Sequence, residues 1–77
     1  MTRHRPLHGW HLLPDGREGL YLDGTCCAAI AHHPERATPF ATDSVTPTGV
    51  RELRNLDTRA DAMAQCERVT GYRGATR

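Results

Sequence analysis

Cys26 and Cys27 stand side by side, His32 and His33 follow shortly after, and Cys66 lies far downstream. Thiolates and imidazoles are the side chains that hold zinc or assemble a nucleophile with its base. The spacing here favours neither chemistry. Structural zinc sites use Cys-x2–4-Cys and His-x3–5-His separations, whereas both pairs in this chain are contiguous. Neighbouring residues of a regular strand face opposite sides, so Cys26 and Cys27 could not both reach one ion. A Cys–His pair built from Cys27 with His32 or His11 would need an electropositive, partly exposed thiolate, and no motif in the chain announces one. Asp15-Gly16 and Asp23-Gly24 read as hairpin turns with no helix behind them, so they are not phosphate loops. The carboxylates are scattered over turns. The reading is of a protein that is not an enzyme and needs no metal or cofactor. Three cysteines are an odd set for a secreted scaffold, and adjacent Cα atoms about 3.8 Å apart bridge poorly. Reduced thiols in a cytosol follow as the expectation, with Cys26 and Cys66 as small buried hydrophobes.

The arginines are the second set with chemistry to offer. Arg51 and Arg54 flank Leu53, Arg59 and Arg68 lie in a helical pattern, and Arg3, Arg5, Arg73 and Arg77 sit near the ends. Guanidinium groups on a strand and two basic tails could follow a phosphate backbone, which nominates Arg51, Arg54, Arg59 and Arg73 as nucleic-acid contacts. The balance of charge weighs against that use: ten basic residues meet nine acidic ones, for a net +1. Glu52, Asp57, Asp61 and Glu67 are interleaved with the same arginines, the pattern of a solvated face. One Trp, two Tyr and one Phe leave little for a base-stacking platform.

The elements that must position these groups can be read in chain order. Gly9 to Leu13 alternates as a strand with Trp10 and Leu12 on one face. Pro14 to Gly19 is a turn, and Leu20-Tyr21-Leu22 resumes the strand pattern. Asp23-Gly24 is a strong hairpin signal and leads into a third strand, Thr25 to about Ala31, with Cys26, Ala28 and Ile30 on one side. His32 to Gly49 is rich in Pro, Thr and Asp, with Phe40 as its anchor and a short strand allowed over Pro39–Val45. Residues 50–56 fit either a strand or an early helical turn, and the strand is preferred because Asp57-Thr58 is the better helix start. Ala62, Met63, Cys66 and Val69 then recur at helical spacing until Gly71.

The fold expected is α+β: a small antiparallel sheet of three to five strands packed against one C-terminal helix. Its core would comprise Trp10, Leu12, Leu20, Leu22, Ile30, Phe40, Leu53, Leu56, Met63 and Val69. Residues 9–70 form one domain, between a basic arm over residues 1–8 and a tail over residues 71–77. At 77 residues the chain is near the lower limit for folding without a staple, so self-association or a partner is a natural expectation. Nothing near Met1 resembles a signal peptide, and no apolar run approaches the roughly 18 residues of a membrane span. Every basic residue is Arg and none is Lys, while Asn, Ile and Phe occur once each and Ala nine times. That bias points to a high-GC genome, here read as an actinobacterium or one of its phages or plasmids.

The run Val50-Arg51-Glu52-Leu53-Arg54-Asn55-Leu56-Asp57-Thr58-Arg59-Ala60-Asp61-Ala62 resembles the last strand and opening helix of arm-type DNA-binding modules in phage integrases. In that family the sheet face docks into the DNA groove, so the resemblance implies Arg51 and Arg54 as groove-facing residues. Two functions follow as expectations. The first is a small cytoplasmic accessory or inhibitor protein, phage- or mobile-element-encoded, that binds another protein through its sheet face or open strand edge. The alternative is a nucleic-acid-binding module that uses the arginines of the last strand and tails.

Overall fold

Asp23 and Gly24 both take positive φ, 49° and 88°. Two successive left-handed residues make the tight turn whose twist matches that of the flanking strands, and Asp and Gly are the types that tolerate it. The turn closes β2 (Glu18–Leu22) onto β3 (Thr25–His32), with Leu22 opposite Thr25. β1 (Gly9–Leu12) pairs antiparallel with β2, β4 (Phe40–Val45) with β3, and β5 (Arg51–Leu56) with β4. Strand order in the sheet is therefore chain order, β1-β2-β3-β4-β5. The final element is α1 (Arg59–Thr70), which packs on β3, β4 and β5. The fold is thus the expected α+β one, with the optional strands at 39–45 and 50–56 both formed. This computed structural model describes residues 6–73. Within them no helix is long and apolar enough to cross a membrane.

The helix begins and ends where its caps dictate. Thr58 is extended (φ −126°, ψ 157°), and its hydroxyl accepts the Asp61 N–H at 3.0 Å. Gly71 turns left-handed at φ 79°, and its N–H reaches the Glu67 carbonyl at 3.0 Å.

The core lies between the helix and one face of the sheet. Leu20, Ala28 and Ile30 from the strands meet Ala62 and Cys66 from α1, all buried. Trp10, Phe40, Leu56, Met63 and Tyr72 pack around them, half-buried. Five of the residues expected in the core are not part of it: Leu22 and Val69 are half-buried outside this cluster, and Leu53, Leu12 and Cys26 are exposed. Leu53 is 67% exposed, because it is three residues from Leu56 on a strand of period two and so faces the other way. Leu12 is 76% exposed; it shares a face with Trp10, but α1 covers β3 to β5 and leaves this end of β1 bare. Cys26 is exposed rather than buried, and a bulge is the reason. Leu20 pairs with Ala28 and Tyr21 with Cys26, so Cys27 is an extra residue that slips the alternation of β3. The expected row of Cys26, Ala28 and Ile30 is thereby broken. A Cβ on Gly19 would lie 3.3 Å from the Cys26 sulfur, which places that thiol over the sheet face away from Leu20.

Both ends of the described chain are tied to this frame. The Leu7 carbonyl accepts the Gly24 N–H at 2.7 Å, and the His8 ring lies 5.5 Å from that of Tyr72. Leu7, His8, Gly71 and Tyr72 therefore touch the domain, while residues 1–5 of the expected arm and 74–77 of the expected tail lie outside the described residues.

Candidate functional site

The nominated arginines do not converge. Arg51 lies on the sheet face that α1 leaves open and forks onto Asp43, with Nε to Oδ1 at 2.8 Å and a terminal nitrogen to Oδ2 at 2.5 Å. The guanidinium hydrogen bonds hold the Asp43 carboxyl below its ordinary value of 3.8 and raise Arg51 in turn. Arg54 is opposite Thr42, which is buried on the helix side, so it faces the other way from Arg51. Arg59 opens the helix and grips Glu18 of β2, with Nε to Oε1 at 2.8 Å. Hydrogen bonding to Glu18 raises the Arg59 pKa. Arg73 is exposed just beyond the helix C-cap. Two of the four guanidinium groups are thus engaged by carboxylates, and the strand arginines lie on opposite faces.

The thiols are separated as well. Cys26 and Cys27 each point a sulfur at a carbonyl of their own strand, those of Ala28 and Thr25, at 3.5 Å. Cys66 is buried under α1, and burial pushes its thiol up to about 11, above the ordinary 9.0. Such a group is inert at neutral pH. His32 stacks on Phe40, centroids 4.5 Å apart and planes 10° from parallel, which makes it part of the sheet packing. Among the described residues, no three Cys, His, Asp or Glu side chains come together as metal ligands.

What the fold does assemble is a surface. On the face opposite α1, the row His11, Gly19, Ala29, Asp43, Leu53 crosses the whole sheet, and Ala31, Ala41 and Asn55 form the next row. Gly19 and the three alanines make a low floor. Leu13 folds over Gly19, where an added Cβ would meet its methyl at 3.0 Å, and His11 meets Tyr21 edge-on at 5.7 Å. At the other end, Cys26, Cys27, Val45 and the Asp43–Arg51 pair surround a depression of about 200 Å3. A second hollow of about 200 Å3 lies on the helix side, between Leu12, Ile30, Phe40 and the Glu18–Arg59 pair. Both are smaller than the roughly 300–1,000 Å3 of a typical small-molecule site.

Leu13, Tyr21 and Asp43 were not singled out by sequence reasoning, and His11 only as a base for Cys27. The alternation of β4 could have shown Asp43 opposite Leu53 and diagonal to Arg51, once the pairing of β4 with β5 was taken as given. Leu13 carries no such signal, because its position follows from the path of a loop. No protein-family model, no curated protein and no solved structure matches this chain.

Proposed function

We propose that this protein is a small non-enzymatic binding module, a cytoplasmic accessory or inhibitor of phage or mobile-element origin, that docks another protein on its open sheet face. One observation carries the reading: among the described residues no helix or strand covers the face floored by Ala29, Ala31 and Ala41 and rimmed by Leu13, Tyr21, Val45 and Leu53. A floor of small side chains lets a partner's backbone approach closely, while the taller rim supplies apolar contact. The lysine-free, high-GC composition supports the origin. The Asp43–Arg51 fork at one corner is electrically balanced, so the face selects for shape and apolar contact over net charge.

The test places a photo-crosslinking residue at Ala31, on the open face, and separately at Ala64, on the exposed side of α1, in the native host. A defined protein adduct at Ala31 that is missing at Ala64 supports the reading. Adducts at both or neither position defeat it.

The alternative, nucleic-acid binding through Arg51, Arg54, Arg59 and Arg73, is tested by a salt titration with duplex DNA. Each phosphate contact contributes about 0.9 to the log–log slope, so a steep slope reduced by Arg54→Ala would favour nucleic acid over protein.

A further inference from the structure

β5 is an edge strand, and the direction of its free main-chain groups can be read from the turn before it. The Thr46 N–H donates to the Val50 carbonyl at 2.8 Å, which makes that pair a hydrogen-bonded one. Hydrogen-bonded pairs recur every second residue in an antiparallel ladder. Glu52, Arg54 and Leu56 therefore direct their main-chain groups at β4, as the bond from the Thr42 hydroxyl to the Arg54 carbonyl also shows. Arg51, Leu53 and Asn55 direct theirs outward, where no strand lies among the described residues. On this edge Leu53 is 67% exposed. Glu52 and Arg54 share a face, and neither has an ion-pair or side-chain hydrogen-bond partner among the described residues.

We propose that two copies of this chain pair antiparallel along β5, about a two-fold axis through Leu53, to form one continuous sheet. In this register Leu53 of one copy exchanges main-chain hydrogen bonds with Leu53 of the other, and Arg51 does so with Asn55. Glu52 of each copy then stands directly opposite Arg54 of the other, twice over, which gives each of these side chains a partner of opposite charge. The neighbouring registers that keep the two sheets face to face are poorer on charge. A centre at Asn55 sets Arg54 against Leu56 and leaves Glu52 and Arg54 without partners of opposite charge, and the others bring like charges together. A centre at Glu52 sets Glu52 against its own copy, a centre at Arg54 sets Arg54 against its own copy, and a centre at Arg51 does the same for Arg51. Charges on an edge strand commonly repel a second strand. Here their order, Glu-x-Arg about a central leucine, is self-complementary in one register and repulsive in the adjacent ones.

Self-pairing is separate from docking on the open face, which stays uncovered in the dimer. A wild type that stays monomeric yet still crosslinks at Ala31 would defeat the dimer alone.

The test is sedimentation equilibrium of the full chain at low ionic strength, from micromolar to millimolar concentration, with circular dichroism to confirm folding. The wild type should dimerise, and either Glu52→Arg or Arg54→Glu alone should weaken dimerisation by about tenfold or more, because each places like charges opposite one another. The double variant Glu52→Arg/Arg54→Glu restores opposite charges and should return the affinity to the wild-type range. A wild type that stays monomeric throughout overturns the proposal, as does a dimer indifferent to the single swaps or not rescued by the double one.

Discussion

The indole Nε1 of Trp10 donates to the Glu67 carboxylate at 2.9 Å, joining the first strand of the sheet to the last turns of the helix. Both side chains are half-buried. The bond joins residues 57 apart in the sequence and helps hold β1 in place, since α1 packs chiefly on β3, β4 and β5. Glu67→Ala leaves the indole N–H without its acceptor and should cost about 1–2 kcal/mol. In a domain of this size, each kcal/mol lowers Tm by roughly 4–8 °C. Glu67→Gln keeps an acceptor oxygen and should cost less. Trp10 is the only tryptophan, so its fluorescence reports the melt directly. Equal Tm values for wild type and Glu67→Ala would show that the contact is energetically idle.

The three thiols should divide by burial. At neutral to mildly alkaline pH a thiol reagent should modify Cys26 and Cys27 in the native protein, and Cys66 only as the chain unfolds. The Cys66 shift also fixes a pH dependence. The unfolded chain releases that proton near 9.0 and the folded chain holds it to about 11, so between these values the folded state binds more protons. Stability therefore falls as pH rises through this window, by on the order of 2 kcal/mol from this group. Urea titrations should show wild type losing stability relative to Cys66→Ala over that range. A constant difference between the two proteins would contradict the assignment.

Leu20 is wholly buried between sheet and helix, whereas Met63 is half-buried at the margin of the same cluster. Leu20→Ala should cost about 2–5 kcal/mol, enough to unfold much of a domain this small. Met63→Ala should cost about half as much, because a margin site loses less burial and collapses more easily. Chemical denaturation of the two variants gives the order, and a costlier Met63→Ala would mean the helix is seated differently.

Two hydroxyls on the helix-covered face offer a sharper comparison. Ser44 is fully buried and its Oγ has no hydrogen-bond partner among the described residues, whereas the Thr42 hydroxyl donates to the Arg54 carbonyl at 3.3 Å. Removing a buried hydroxyl that makes no bond relieves a desolvation cost, so Ser44→Ala should hold or raise Tm. Thr42→Val keeps the shape, loses the bond and should cost about 1 kcal/mol. Thermal melts that place Ser44→Ala below Thr42→Val would reverse the assignment.

Features that depend on a few adjacent residues were legible in the sequence. Asp23-Gly24 has a short-range preference for the left-handed turn, Thr58 for the helix N-cap and Gly71 for the stop. The β2–β3 hairpin and the helix follow from these signals, whereas a strand over 39–45 was only allowed and 50–56 fitted a strand or a helical turn. Side-chain facing was harder, because a strand has a period of two and a single extra residue inverts everything beyond it. Cys27 is that residue in β3; the bulge puts Cys26 on the open face, and nothing in the local pattern Thr-Cys-Cys-Ala announces it. The site was decided at longer range still. Arg51 and Arg59 read along the chain as phosphate contacts on a mixed-charge face, and only the pairing of β4 with β5 and the docking of α1 beside β2 bring Asp43 and Glu18 to them. Which face stays open depended on the same docking: α1 covers the side that carries Leu20, Ala28 and Ile30, and so leaves Ala29, Ala31 and Ala41 to the solvent side. Turns and caps are contests within a few residues, whereas facing and partnership depend on strand register and helix placement, which the whole chain decides together.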